Sequence, residues 1–397
     1  MAMDRTTPPH ILTLVVASAV GALAMNIFLP SLPAMARDFD ADYRVAQLAV
    51  SLYLAATAVL QLIIGPASDR YGRRPVMLAC MAIFVVATVA CLLAPTMETL
   101  LVARVVQATG ASGIVLGRAI VRDTVGPDGA ASRIGYITMG MALAPMVGPA
   151  IGGVMDELYG WRSTFYLTLA VGLFAFAVIY LDLGETNRHR SSSMTAQMRS
   201  YPELLRSRRF WGYALTAAFT SGTFFAFLGG GPYVASTILG MGPAEYGLYF
   251  GLVSAGYVLG NFVSGRFSGR IGLNRMMITG NLVAVLGMSV SLALFSLGQG
   301  TPLALFGAVA LVGIGNGMTL PSAMAGLVSV RPHLAGSASG LGGTLQIGGG
   351  AMLAVVAGSV LSEQSGATPL LLVMLGSSTL AVIASLYVLW VAAQVEG

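Results

Sequence analysis

The sequence predicts an all-α membrane protein with twelve transmembrane helices in two six-helix halves. Three observations predict it: a composition too apolar to face water, apolar runs of bilayer length along the whole chain, and one long polar linker with six runs on either side. Of 397 residues, 56% are hydrophobic and 9% charged. Soluble domains carry roughly 25% charged residues. So few charges cannot cover a water-soluble surface of this size, and lipid is therefore the main solvent.

The runs fall at 11–36, 45–66, 75–95, 99–121, 132–155, 163–183, 210–234, 244–265, 275–298, 302–325, 335–361 and 368–393. A helical span needs about 20 apolar residues. Barrel strands would instead alternate in polarity over about 10 residues, and no such alternation occurs. The first run continues through Asn26-Ile27-Phe28-Leu29-Pro30 without a small-residue cleavage pattern, so it reads as a retained helix rather than a signal peptide.

The net charge of +5 does not point to nucleic acid, because the basic residues form no tail or face. All 21 are arginine, and they sit mainly between spans. With the N-terminus inside, 16 lie on the cytoplasmic side and three, Arg37, Arg44 and Arg162, lie outside. This positive-inside bias places both termini in the cytoplasm. Cys80 and Cys91 share one apolar run and read as packing residues, with no disulfide or metal site implied.

The linker from Glu185 to Arg209 divides the chain into an N-terminal half, 1–184, and a C-terminal half, 210–397. A shift of 200 residues aligns the two. Gly65, Ser68, Arg70 and Gly72 meet Gly265, Ser268, Arg270 and Gly272; Gly113 and Gly117 meet Gly313 and Gly317; Gly140 and Gly148 meet Gly340 and Gly348. The shared offset and equal span counts indicate duplication. Parallel repeats of this kind place a substrate site between the halves, near the midplane.

Three segments carry mechanism. Gly65 to Pro75, with Asp69, Arg70, Arg73 and Arg74, joins the second and third spans, where Gly72 and Pro75 suit a tight turn. The fourth span contains Arg104 and, three residues on, Gln107. A guanidinium inside a span costs a few kcal/mol on insertion scales. It either snorkels to the outer surface or has a function there; Arg118, nearer the cytoplasmic end, reads as snorkelling. The fifth span carries Pro145 and Gly148-Pro149-Ala150-Ile151-Gly152-Gly153, a kinked helix that permits close helix contact.

These segments resemble the major facilitator superfamily, and with it the major facilitator fold. The loop resembles its cytoplasmic charge latch, in which Asp69, Arg70 and Arg73 join an acid closing the fourth span, here Asp123. Arg104 and Gln107 resemble the fourth-helix motif linked to proton transfer, with Ala108 in place of the usual first glycine. Gly148, Pro149, Gly152 and Gly153 resemble the antiporter motif of drug exporters. The segments Asn26 to Pro33, Ser51-Leu52-Tyr53 with Gln61, Val121-Arg122-Asp123 and Thr223 to Pro232 are similar to the bicyclomycin and chloramphenicol/florfenicol resistance branch, Bcr/CflA.

The resemblance implies a proton-coupled antiporter for small amphipathic, chloramphenicol-like drugs in the bacterial inner membrane. It implies no cofactor beyond the proton gradient, and a functional monomer. One departure matters: the branch usually has aspartate where this chain has Asn26. Aspartate beside Arg104 would alternate between charged and neutral forms; asparagine cannot, so coupled export should be weak. Candidate wall and anchor residues for a weakly polar drug are Tyr53, Gln61, Tyr136, Met139, Phe219, Phe224, Phe225, Tyr257 and Asn261. An uncoupled facilitator or uptake carrier for a small metabolite is the rival reading. A membrane enzyme would need catalytic spacing that His10, His189 and His333, all outside the spans, do not supply.

Overall fold

The computed structural model describes residues 9–124, 137, 144–145, 147–187, 201–331, 334–362 and 364–396. Within them the regular structure is helical, as a backbone in lipid must be to satisfy its own polar groups. Before the linker lie α1 (Ile11–Asn26), α2 (Leu32–Asp38), α3 (Tyr43–Ala46), α4 (Leu48–Tyr71), α5 (Arg73–Leu92), α6 (Met97–Gln107), α7 (Ser112–Thr124) and α8 (Arg162–Asp182). After it come α9 (Arg208–Tyr233), α10 (Pro243–Ile271), α11 (Leu273–Ser296), α12 (Pro302–Ser329), α13 (Ala335–Ser359) and α14 (Thr368–Glu396).

Among the described residues, ten helical stretches are long and apolar enough to cross a membrane. The seventh run is α9, 26 residues long, prolonged by a π-helical turn over Val234–Ile238. The fifth run, 132–155, lies partly outside the described residues; a helix over 147–159 covers its end and extends just past it.

Two local features decide the geometry near the site. First, α1 stops at Asn26, and the span resumes as α2 after a 3-10 turn over Leu29–Ser31. Pro30 has no N–H to offer the Asn26 carbonyl four residues earlier, so the helix cannot continue unbroken. Second, Gly72 (φ 107°, ψ 151°) and Gly272 (φ 89°, ψ 148°) adopt one conformation between α4 and α5 and between α10 and α11. Residues with a Cβ are strained there. The two turns stand 200 residues apart, the offset of the sequence repeat.

Helices before the linker pack chiefly among themselves, as do those after it; the broadest contact across is α4 on α13. The apolar core divides unevenly. At the end bearing residues 39–47 and 234–242, one large cluster joins both sets, with Phe28, Leu32, Tyr43, Phe227, Phe250 and Leu370 among its members. At the linker end the core is split. One cluster belongs to the first set, around Leu14, Met77, Phe84 and Ile120, and the other to the second, around Phe210, Met277 and Leu327.

Candidate functional site

Arg104, at the end of α6, is fully buried. Its guanidinium lies between two rings, 4.2 Å from the Phe28 centroid and 4.4 Å from that of Tyr53. Nη1 donates to the Ala24 carbonyl at 3.0 Å and to Gln107 Oε1, and Nε donates to the Ala49 carbonyl at 3.2 Å. Gln107 Nε2 in turn donates to Thr88 Oγ1 at 2.8 Å, and the Tyr53 hydroxyl donates to the Gly21 carbonyl at 3.0 Å.

The arrangement follows from the break in α1. The last carbonyls of a helix have no intrahelical donor and carry the negative end of its dipole. Arg104 supplies a cation and donors there, while the rings add cation–π attraction in a desolvated setting. The positive charge is therefore held by backbone, amide and aromatic groups, with no carboxylate partner among the described residues.

Two atoms remain unmatched. Asn26 is fully buried, and its Nδ2 donates to the Ala22 carbonyl at 2.7 Å. Asn26 Oδ1 and Arg104 Nη2 both lack a hydrogen-bond partner among the described residues. A buried unpaired polar atom costs about 1–3 kcal/mol. Thus Tyr53, Arg104 and Gln107 bear on one buried polar cluster, which also includes Thr88, while Asn26 ends α1 two residues beyond the Ala24 carbonyl that Arg104 holds and bonds back to Ala22 instead. Thr88 had no sequence signal, being one of many threonines in apolar surroundings.

The loop residues form a second cluster. Arg73 pairs with Asp69 through Nη1 at 2.5 Å and with Asp123 through Nε at 2.8 Å, joining the second, third and fourth spans. Its backbone N–H, the first of α5, donates to Glu185 Oε1 at 3.0 Å. Glu185 opens the linker and was missed as a participant. Arg70 does not join the ion pairs: its guanidinium lies over the Tyr71 ring at 5.3 Å. Arg74 instead donates to the Leu183 and Tyr180 carbonyls. Every partner of Arg73 precedes the second set, so the latch ties the first set together and does not bridge the two.

The fifth-span motif lies at the seam. A Cβ on Gly152 would collide with the Ile27 carbonyl, and one on Gly153 with the Pro243 carbonyl of the second set. Nearby Gly247 faces the Pro149 carbonyl equally closely. Hydrogen bonds join the sets from Tyr43 Oη to the Gly229 carbonyl at 2.9 Å, from Arg44 Nη2 to the Leu361 carbonyl, and from Thr344 Oγ1 to the Ala58 carbonyl.

The remaining candidates disperse. Gln61 is half-buried with Oε1 against Gly343, and Phe224 and Phe225 are half-buried beside the shared core. Phe219 is half-buried on α9. Tyr257, on α10 with Asn261, interacts electrostatically not with Arg104 but with Arg118 on α7. Arg118 is exposed yet faces the second set, a partner that the snorkelling expectation did not include. Tyr136 and Met139 lie outside the described residues. Cys80 and Cys91 are free thiols.

Residues 14–346 and again 225–396 match the Major Facilitator Superfamily. The chain belongs to this superfamily. It is similar to the uncharacterized MFS-type transporter YdgK of Bacillus subtilis, 32% identical over 353 residues and covering 87% of this chain and 86% of that one. It is also similar to the bicyclomycin resistance protein homolog of Haemophilus influenzae, 29% identical over 382 residues and 94% of each chain. In fold the facilitator resembles a bacterial homolog of the human lysosomal transporter Spinster in an inward-facing, occupied conformation (TM-score 0.74, 17% identity, 96% of each chain). The molecule is accordingly a multi-pass membrane transporter and not an enzyme, as both sequence readings expected.

Proposed function

We propose that this facilitator exports small amphipathic drugs, chloramphenicol-like in size and polarity, across a bacterial inner membrane by alternating access between residues 1–184 and 210–397. The observation that carries the reading is the uneven core. The two sets share one apolar cluster at one end and keep separate clusters at the linker end. That is the arrangement of a rocking pair closed at one face. The arginine bias puts the linker in the cytoplasm, so the closed face is the outer one and this state faces inward. The resistance-protein relative and the antiporter-like glycines at the seam support export over uptake.

Coupling in this reading belongs to the Arg104 cluster. An acid at position 26 would exchange a proton as Arg104 was freed or re-engaged; Asn26 holds the neutral form. Export driven by protons should therefore be weak, and drug exchange down a gradient should persist. The absence of a carboxylate partner for Arg104 also favours a second reading, an uncoupled carrier for a small metabolite.

Counterflow into proteoliposomes separates them. Export predicts that chloramphenicol-like drugs exchange against one another, while sugars and organic acids do not. Exchange of metabolites in preference to drugs would overturn the proposal.

A further inference from the structure

The turn of the second set has lost the acids that its counterpart carries. In the first set, Gly72 begins α5, the Arg73 N–H is met by Glu185, and the Arg73 guanidinium is met by Asp69 and Asp123. A shift of 200 residues replaces Asp69, Arg73 and Asp123 with Gly269, Leu273 and Ala323. Helix α14, the counterpart of α8, brings Leu389 to this place rather than a carboxylate.

What stands there is a basic cavity of about 380 Å³, walled by Arg209 and Tyr213 from α9, by Gly272, Asn274 and Arg275 from the start of α11, and by Leu389. Among the described residues, no acidic one lines it. Arg209 Nε is buried with no hydrogen-bond partner. The Tyr213 hydroxyl donates to Asn274 Oδ1 at 3.0 Å. Helix α11 starts just after Gly272, without a side-chain cap. Two arginines, an asparagine and an uncapped helix start thus share one pocket. Backbone donors at a helix start and the helix dipole favour negative charge, and arginine forks match phosphate oxygens.

We propose that this cavity binds a phosphodiester, the headgroup of an anionic phospholipid from the linker-side leaflet. Apolar Ile271, Leu273 and Leu389 share the wall with the arginines, which suits a phosphate carrying acyl chains better than a free ion. Basic pockets between cytoplasmic helix ends bind acidic headgroups in this way. The bound phosphate takes the part that Glu185 plays in the first set, anchoring the start of α11 to α9.

The test uses the full-length protein in detergent, with thermal unfolding and native mass spectrometry as readouts. The probes are dioctanoyl phosphatidylglycerol, dioctanoyl phosphatidylcholine and inorganic phosphate. Phosphatidylglycerol should raise the melting temperature and remain bound, and each of Arg209→Gln and Arg275→Gln should weaken it about fivefold. Arg270→Gln, a neighbouring exposed arginine outside the cavity, should bind like the parent. Each variant is checked for a monodisperse elution profile, and its melting temperature without lipid serves as its own baseline. Equal binding of phosphatidylcholine, or unchanged affinity in both glutamine variants, would overturn the site. Inorganic phosphate stabilising as strongly as phosphatidylglycerol would overturn the lipid as its ligand.

Discussion

The Arg104 guanidinium donates to the Ala24 carbonyl at 3.0 Å, two residues before the first helix breaks. A charge expected to need an acid is instead held by the end of a helix, and both its mechanical and its functional consequences can be measured.

Arg104→Ala removes the donor to Ala24, Ala49 and Gln107 and empties a fully buried volume. The expected loss is about 2–4 kcal/mol of stability, from cavity formation and unpaired acceptors. Equilibrium unfolding in mixed micelles reads it. An unchanged midpoint would mean that the rings and carbonyls do not depend on the arginine.

Asn26→Asp should give the unmatched Arg104 Nη2 an anionic neighbour and create a titrating pair. Drug binding to this variant should release protons into weakly buffered detergent solution, and cells carrying it should show higher drug resistance than cells carrying the parent chain. Equal resistance and equal proton release in both would move coupling away from this cluster. So would full proton stoichiometry in the parent that survives Arg104→Ala.

Gly153→Val places a branched side chain where the Pro243 carbonyl already sits. The joined end of the core cannot close around it, so in the proposed orientation the population should shift toward an outward-open state. Spin labels on exposed residues of the 37–44 and 234–242 segments should move apart in the variant. An unchanged distance distribution would show that the seam accommodates the side chain without opening.

Asp156, just past the fifth span, is 8% exposed. Burial pushes its carboxyl pKa above the usual range, opposed by the Ser31 hydroxyl and Arg37. A raised folded-state pKa makes the ionised form the unfavourable one. Asp156→Asn should therefore raise the melting temperature most at neutral pH. The gain should fade as pH drops through the folded pKa and vanish below the ordinary aspartate range, where both states are protonated. Melting curves from pH 4 to pH 8 check the sign, and a gain that grows on acidification would contradict it.

Much of the site's chemistry was legible residue by residue, but its pairings were not. Asp69, Arg73 and Asp123 come together as their motif implied, while Arg70 turns to Tyr71 and Glu185 takes a place no motif marked. Tyr257, a candidate wall residue for the drug, lies within electrostatic reach of Arg118 on α7, a pairing the sequence did not indicate. The difficulty is phase. A span that is apolar on every side gives no amphipathic stripe, because lipid tails and packed side chains are equally apolar neighbours.

The amino-acid sequence by itself determined the helices, the glycine turn at 72 and its echo at 272, and the presence of a guanidinium within the fourth span. Each of these follows from short-range rules: backbone hydrogen bonds must close within a segment in lipid, and only certain residues tolerate a positive φ. Tertiary structure alone decided that Arg104 rests on helix-end carbonyls and two rings, that the core is joined at one end and parted at the other, and that a basic cavity opens where the second set has no acids. Those outcomes depend on which helix faces meet across hundreds of residues, and a uniformly apolar surface carries no local record of that choice.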